Sequence, residues 1–200
     1  MIDPDALEEV HSVVEERYGE SDRGALSPGY SKMIVTTTNG EYGPVRIAVE
    51  KSDIAGQAMR RVQCGSGEGA VVVCTHGERV LLVRQHRPAV GCATWELPRG
   101  SSESFDEGDL VATALRELRE ETGIACANGE LAGVIYPDTG VLTTRVGVVW
   151  ACADCADPSD ETDGEVDEAR WVDRAQLEQM IRSGELADAM TLAALRLAGL

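Results

Sequence analysis

The residues with the plainest capacity for chemistry are Glu117, Glu120 and Glu121, within the run Arg116-Glu117-Leu118-Arg119-Glu120-Glu121-Thr122-Gly123-Ile124. On a helix, positions i, i+3 and i+4 share a face, so the three carboxylates crowd one stripe. Like charges at that spacing repel by roughly 0.2–0.5 kcal/mol per pair even in water. They also stand near the helix C-terminus, where the macrodipole opposes negative charge. Arg116, one turn before Glu120, offsets only part of this. An arrangement that unfavourable suggests a divalent cation that uses it, since hard carboxylate oxygens are what Mg²⁺ or Mn²⁺ takes. A solvated acidic helix face is the plain alternative. Against it stands Trp95-Glu96-Leu97-Pro98-Arg99-Gly100, a strand ending in a glycine where a backbone carbonyl can approach the same ion. To cage a cation the side chains must converge, with no lysine or arginine head group lodged between them.

The elements that must position these groups are legible around them. Asp109 to Thr122 reads as a helix with Val111, Ala114, Leu115 and Leu118 toward a core, and Gly123 sits where a helix end wants left-handed geometry. Ala70–Cys74 and Val80–Val83 flank His76-Gly77-Glu78 as a hairpin of buried strands. Trp95–Pro98, Glu130–Tyr136, Thr144–Cys152 and Ala169–Val172 read as further strands. Two helices follow, Arg174–Arg182 and about Leu186–Leu197, broken at Ser183-Gly184. Upstream, Asp5–Tyr18 has helical spacing of Leu7, Val10, Val13, Val14 and Tyr18, with Asp3 as N-cap. Ser21–Pro28 reads as a linker. Met33–Thr38 and Val45–Val49 read as strands about a turn at Asn39-Gly40. This order argues for a layered α+β fold, with residues 1–65 as an N-terminal subdomain too poor in apolar residues for a core of its own.

The 200 residues suit one domain with an extension, and 43% hydrophobic with 26% charged is a globular composition. Eighteen Lys+Arg against 35 Asp+Glu leave a formal charge of −17, which disfavours nucleic acid and anionic lipid as partners. No apolar run approaches the roughly 20 residues of a membrane span, and the first residues are not a secretory leader, so a cytoplasmic location is expected. The six cysteines include one Cys152-Ala153-Asp154-Cys155 motif. It lacks a second ligand pair, so reduced, inert thiols are expected rather than a zinc or redox site.

The acidic run and the strand before it resemble the Nudix hydrolases, whose box is written G-x5-E-x7-R-E-U-x-E-E-x-G-U with U aliphatic. Arg116 to Ile124 matches its second half throughout, and the resemblance spans residues 66–200. The first half departs. Counting from Gly100 the box glutamate falls on Asp106, and counting back from Arg116 it falls on Gly108, so the loop Ser101–Gly108 is two residues longer. Glu103, Asp106 or Glu107 stands in for the missing Glu. The resemblance implies an α/β/α sandwich with a mixed sheet. It implies that Glu117, Glu120 and Glu121, with the Arg99 carbonyl, hold Mg²⁺ or Mn²⁺. It also implies metal-assisted hydrolysis of a phosphoanhydride, the metal supplying the positive field an acidic protein lacks.

Further residues resemble the ADP-ribose and nucleotide-sugar pyrophosphatase branch. Arg84-Gln85-His86-Arg87-Pro88 matches its Arg-Gln-aromatic-Arg run, Trp95-Glu96-Leu97-Pro98 its strand, and Ile181–Leu195 its C-terminal helix pair. Arg87, Arg84, Trp95 and Glu96 are then substrate-binding, with Arg87 on a phosphate. The alternatives are a salt bridge for Arg87 and a core or interface place for Trp95. The general base of that branch lies on an acidic loop, here Asp157–Glu168, where Glu165 and Glu168 occupy the expected positions and Glu120 is the third catalytic candidate. Residues 1–65 would exchange across a homodimer. The implied substrate is ADP-ribose, split to AMP and ribose 5-phosphate. Because Asp138-Thr139-Gly140 departs from the branch's Ser-Pro-Gly, and His86 from its usual Tyr or Phe, other nucleotide sugars stay open. So do nucleoside triphosphates and a ligand-sensing domain without turnover.

Overall fold

The computed structural model describes residues 13–14, 32–37, 45–51, 58–64, 67–103, 105–106, 108–154, 164 and 166–200. Its contacts divide into two units. The first contains an antiparallel sheet in the order β1 (Val13–Val14), β2 (Lys32–Thr37), β3 (Val45–Lys51) and β4 (Ala58–Cys64). Strands β2 and β3 lie where runs of β-branched residues predict them, with Ile34 opposite Ala48. Strand β4 is not evident in the sequence, since Arg60, Arg61 and Gln63 interrupt its apolar pattern. Val13–Val14 pairs with Val35 and Ile34, so the helix expected over Asp5–Tyr18 is corrected at these two positions. Adjacent β-branched residues lose side-chain freedom in a helix and accept a strand edge when one is available. The remainder of that segment, the linker and the Asn39-Gly40 turn lie outside the described residues.

The second unit, Glu68–Pro137 with Arg145–Leu200, carries the acidic helix. Its strands are β5 (Glu68–His76), β6 (Arg79–Arg87), β7 (Cys92–Glu96), β8 (Arg99–Ser101), β9 (Gly129–Ile135), β10 (Arg145–Cys152) and β11 (Glu168–Asp173). Its helices are α1 (Leu110–Thr122), α2 (Arg174–Ser183) and α3 (Ala189–Leu197). The sheet runs β11-β6-β5-β10-β9, with β7 on β6 and β8 on β5. Strands β10 and β5 are parallel and the other pairs antiparallel, so the sheet is mixed.

Alternation along β5 and β6 builds two cores. Val71, Val73, Val80 and Leu82 pack with Leu177 and Met180 of α2 and Ala194 and Leu195 of α3. Ala70, Val72, Cys74 and Leu81 pack with Ala114 and Leu118 of α1. Burial on both faces explains the near-continuous apolar runs of these strands. The result is the α/β/α sandwich of the expected α+β class.

One departure from a regular hairpin makes the site. Strands β5 and β6 pair only at Thr75–Val80 and His76–Arg79, around a two-residue turn at Gly77-Glu78 with Gly77 at φ +61°. Beyond that they diverge, and β8 pairs with β5 while β7 pairs with β6. The link Leu97-Pro98 crosses the gap, tied by the Val72 N–H donating to the Pro98 carbonyl at 2.9 Å. Cys74, Cys92, Cys126 and Cys152 are free thiols, and Cys155 lies outside the described residues. Among the described residues no helix is long and apolar enough to cross a membrane.

Candidate metal and phosphate site

Helix α1 is fixed at both ends by its own sequence. Asp109 caps it, its side chain accepting from the Ala112 N–H at 3.0 Å, and Gly123 closes it at φ +70° with its N–H on the Arg119 carbonyl. The buried stripe Leu110, Ala114, Leu118 runs on to Glu121, which is only 2% exposed. A carboxylate so buried needs donors. The Arg99 main-chain N–H supplies one, at 3.2 Å from Glu121 Oε2. One turn earlier the Glu117 carboxylate lies on Gly100, where a Cβ would stand 1.9 Å from Oε1 and 2.3 Å from Oε2. Only glycine leaves room. Two carboxylates of one helix thus reach consecutive residues of β8.

Arg116 is the hub of the outer half. Its guanidinium contacts Asp106 at 2.9 Å, Glu117 at 2.9 Å, Glu120 at 2.8 Å and Glu103 at 3.8 Å, and donates to the Ser101 carbonyl at 2.8 Å. Burial opposes its charge, but the hydrogen bond to Asp106 and the charges of Glu117 and Glu120 raise its pKa further. Asp106 is the buried member of the loop. Burial pushes its carboxyl up, yet the Arg116 hydrogen bond and the Glu103 N–H outweigh this and hold it below the usual range. Of the three stand-ins, Asp106 thus makes the close contact with Arg116, while Glu107 lies outside the described residues. Just before α1, Gly108 turns at φ +85°.

A guanidinium therefore does stand between Glu117 and Glu120, and the uncapped trio required by the sequence argument is not present. Glu120 is 46% exposed and turned to Arg116. Among the described residues no three His, Cys, Asp or Glu side chains form a ready metal cluster. The donor chemistry still suits a hard dication. Arg116 meets one oxygen of Glu117, a carboxylate offers about four lone-pair sites, and one cation faces four carboxylates, leaving surplus negative charge. Glu117 and Glu121 beside the Arg99–Gly100 main chain are the residues that fit such an ion.

Behind this lies a buried chain of alternating charge. Glu96, 2% exposed, accepts from Arg87 at 2.6 Å and from the Thr94 hydroxyl, and forms an ion pair with Arg99 at 2.5 Å. Burial pushes the Glu96 carboxyl up, but the Arg87 hydrogen bond and the Arg99 charge hold it below the usual range. Arg99 also meets Asp188 at 3.2 Å. Arg87 thus takes the salt bridge that was its alternative, its side chain remaining about one-third exposed toward solvent.

The sheet register separates the other candidates from this group. Arg84 is directly opposite Trp95 on β7 and Glu168 on β11, so the three share one face. Trp95 belongs to the core beneath α2 and α3, with the Arg170 guanidinium 4.2 Å over its ring. Glu96, one residue on, points to the α1 face. Arg84, Trp95 and Glu168 therefore lie on the opposite side of the sheet from Glu117 and Glu121, and Trp95 takes its packing alternative. Glu165 lies outside the described residues. Asp188 and Thr191 were not singled out from sequence, although Asp188-Ala189-Met190-Thr191 carries a helix N-cap signal that marks them.

Comparisons with known proteins agree with this architecture. The family model described as NUDIX domain matches residues 66–194. A CMP-5'-(N-acetyl-N-hydroxy-3-aminopropyl)phosphonate hydrolase of Streptomyces rubellomurinus is 31% identical over 122 residues, 59% of this chain and 56% of that protein. An ADP-sugar pyrophosphatase of Mus musculus is 38% identical over 74 residues, 37% of this chain and 33% of that protein. The chain thus spans about half, or less, of the length of these curated relatives. Among solved structures, an ADP compounds hydrolase superposes with a TM-score of 0.63 at 14% identity, over 87% of this chain and 94% of the other, which is a likeness of fold.

Proposed function

Because the chain belongs to the Nudix family, we propose that it hydrolyses the pyrophosphate bond of a nucleoside diphosphate joined to a sugar. ADP-ribose, giving AMP and ribose 5-phosphate, is the substrate assigned. The observation carrying this is the pair of α1 carboxylates that reach β8: Glu121 buried on the Arg99 N–H, Glu117 seated where only a glycine permits it. A divalent ion, Mg²⁺ or Mn²⁺, held by Glu117 and Glu121 would neutralise the diphosphate and activate water. Arg116 holds the Glu117 carboxylate in place and is held in turn by Asp106 and Glu120. Arg87, fixed by Glu96 and partly exposed, is the cation available to a substrate phosphate. Of the two loop glutamates, Glu165 is assigned the base, since Glu168 shares the far face with Arg84. The names of two relatives point to nucleotide-linked substrates, which supports the class more than the sugar. Residues 1–65 are assigned to a homodimer contact, to be read from the mass of the full chain by light scattering.

The test is hydrolysis of ADP-ribose, other nucleotide sugars and nucleoside triphosphates with Mg²⁺ or Mn²⁺, identifying products. AMP with ribose 5-phosphate supports the proposal, whereas pyrophosphate release from triphosphates replaces it. Binding without turnover across the panel would make the protein a sensor. Glu121→Gln should abolish turnover with the circular dichroism spectrum unchanged; a near-wild-type rate refutes the metal assignment.

A further inference from the structure

Leu97 lies between strands, since β7 ends at Glu96 and β8 begins at Arg99, so its N–H has no ladder partner of the usual kind. Instead it donates to the Thr191 hydroxyl of α3 at 3.0 Å, a contact across 94 residues of sequence. Thr191 is fully buried. Its own N–H donates to Asp188 Oδ2 at 2.8 Å, the N-cap of α3. The same Asp188 oxygen receives Arg99 Nη1 at 3.2 Å, and Arg99 Nη2 reaches Glu96 at 2.5 Å. Both flanks of Pro98 are therefore pinned to the first turn of α3. The main-chain N–H of that same Arg99 is the donor to Glu121.

We propose that Asp188 and Thr191 are positioning residues of the metal site. They act through the Leu97–Arg99 link, setting where the Arg99 N–H and Gly100 meet Glu121 and Glu117. The proposal rests on the metal assignment made above. A cap and a buried hydroxyl could serve stability alone, so the test needs a readout that stability does not move. Outer partners of metal ligands, when removed, cost about 10–100-fold in affinity or activity.

The experiment is Mn²⁺ binding to the full chain, followed by the paramagnetic resonance of the unbound ion, beside kcat, KM and thermal melting. Thr191→Val keeps the shape and removes the acceptor; Thr191→Ser keeps the acceptor. Asp188→Asn keeps the cap, since Asn caps as well as Asp, but weakens the hold on Arg99. The expected result is Mn²⁺ affinity lowered about tenfold by Thr191→Val and by Asp188→Asn, with kcat falling more than KM rises, and Thr191→Ser close to wild type. Variants that melt lower yet bind Mn²⁺ and turn over as wild type does would overturn the positioning role alone. A wild-type chain that binds no Mn²⁺ would overturn the metal assignment and the positioning role with it.

Discussion

Replacing Gly100 with alanine should damage activity far more than stability. An added Cβ would stand 1.9 Å from Glu117 Oε1 and 2.0 Å from its carboxyl carbon. Ordinary contact begins near 3.5 Å, so the carboxylate must retreat by about 1.5 Å. The obstructed group is the far end of a flexible side chain, so the fold can absorb the change. Gly100 is absent from the left-handed glycines, and alanine there also loses less chain entropy on folding, by about 0.4–1 kcal/mol. Thermal melting should therefore move little. The displaced carboxylate is a different matter, because misplacement by about 1 Å can cost about 100-fold in rate. The assay is kcat/KM for ADP-ribose with Mg²⁺, run on Gly100→Ala, Glu117→Gln and the double variant. If both act through one carboxylate, the double variant should be no slower than Glu117→Gln. A Gly100→Ala enzyme within twofold of wild type, or fully additive losses, would refute the reasoning.

Asp106→Asn weakens the charge-assisted hydrogen bond to Arg116, which keeps Glu117 and Glu120 as partners, and should cost about 1–2 kcal/mol at pH 7 in urea unfolding. Because the folded carboxyl titrates below its ordinary value, its contribution is present above the unfolded pKa of about 4 and lost as pH falls through the folded one. The gap between variant and wild type should accordingly narrow in acid; a constant gap would point to packing instead. Gly147→Ala would place a Cβ 2.8 Å from the Leu110 Cβ at the start of α1, an atom fixed to the helix backbone. A lower urea midpoint, equivalent to about 1–3 kcal/mol, is expected, and an unchanged one would contradict the packing described. Dialysis against EDTA should abolish ADP-ribose hydrolysis and added Mn²⁺ restore it, with undiminished turnover in EDTA counting against the metal assignment.

Much of the site-bearing unit was readable because its signals are local. Asp109 and Gly123 bracket α1 through caps that involve residues three or four apart. The apolar runs of β5, β6 and β10 announce strands covered on both faces. Helix α3 begins at Ala189 rather than near Leu186, since Asp188 caps it. Neighbours in sequence are not thereby neighbours in space. Arg84 and Arg87, or Trp95 and Glu96, stand close along the chain, yet strand alternation sends them to opposite faces.

The spacing of Glu117, Glu120 and Glu121, the glycine after Pro98-Arg99, and the alternation of apolar residues were set by the sequence alone, because each depends on the fixed pitch of a helix or strand. Tertiary structure decided that Glu121 is buried while Glu120 is not, that Asp106 and the Ser101 carbonyl anchor Arg116, and that α3 holds the Leu97–Arg99 link. These outcomes follow from where β5 and β6 part and which strands fill the gap. That is a matter of register and packing between segments distant in the chain, which no local propensity encodes.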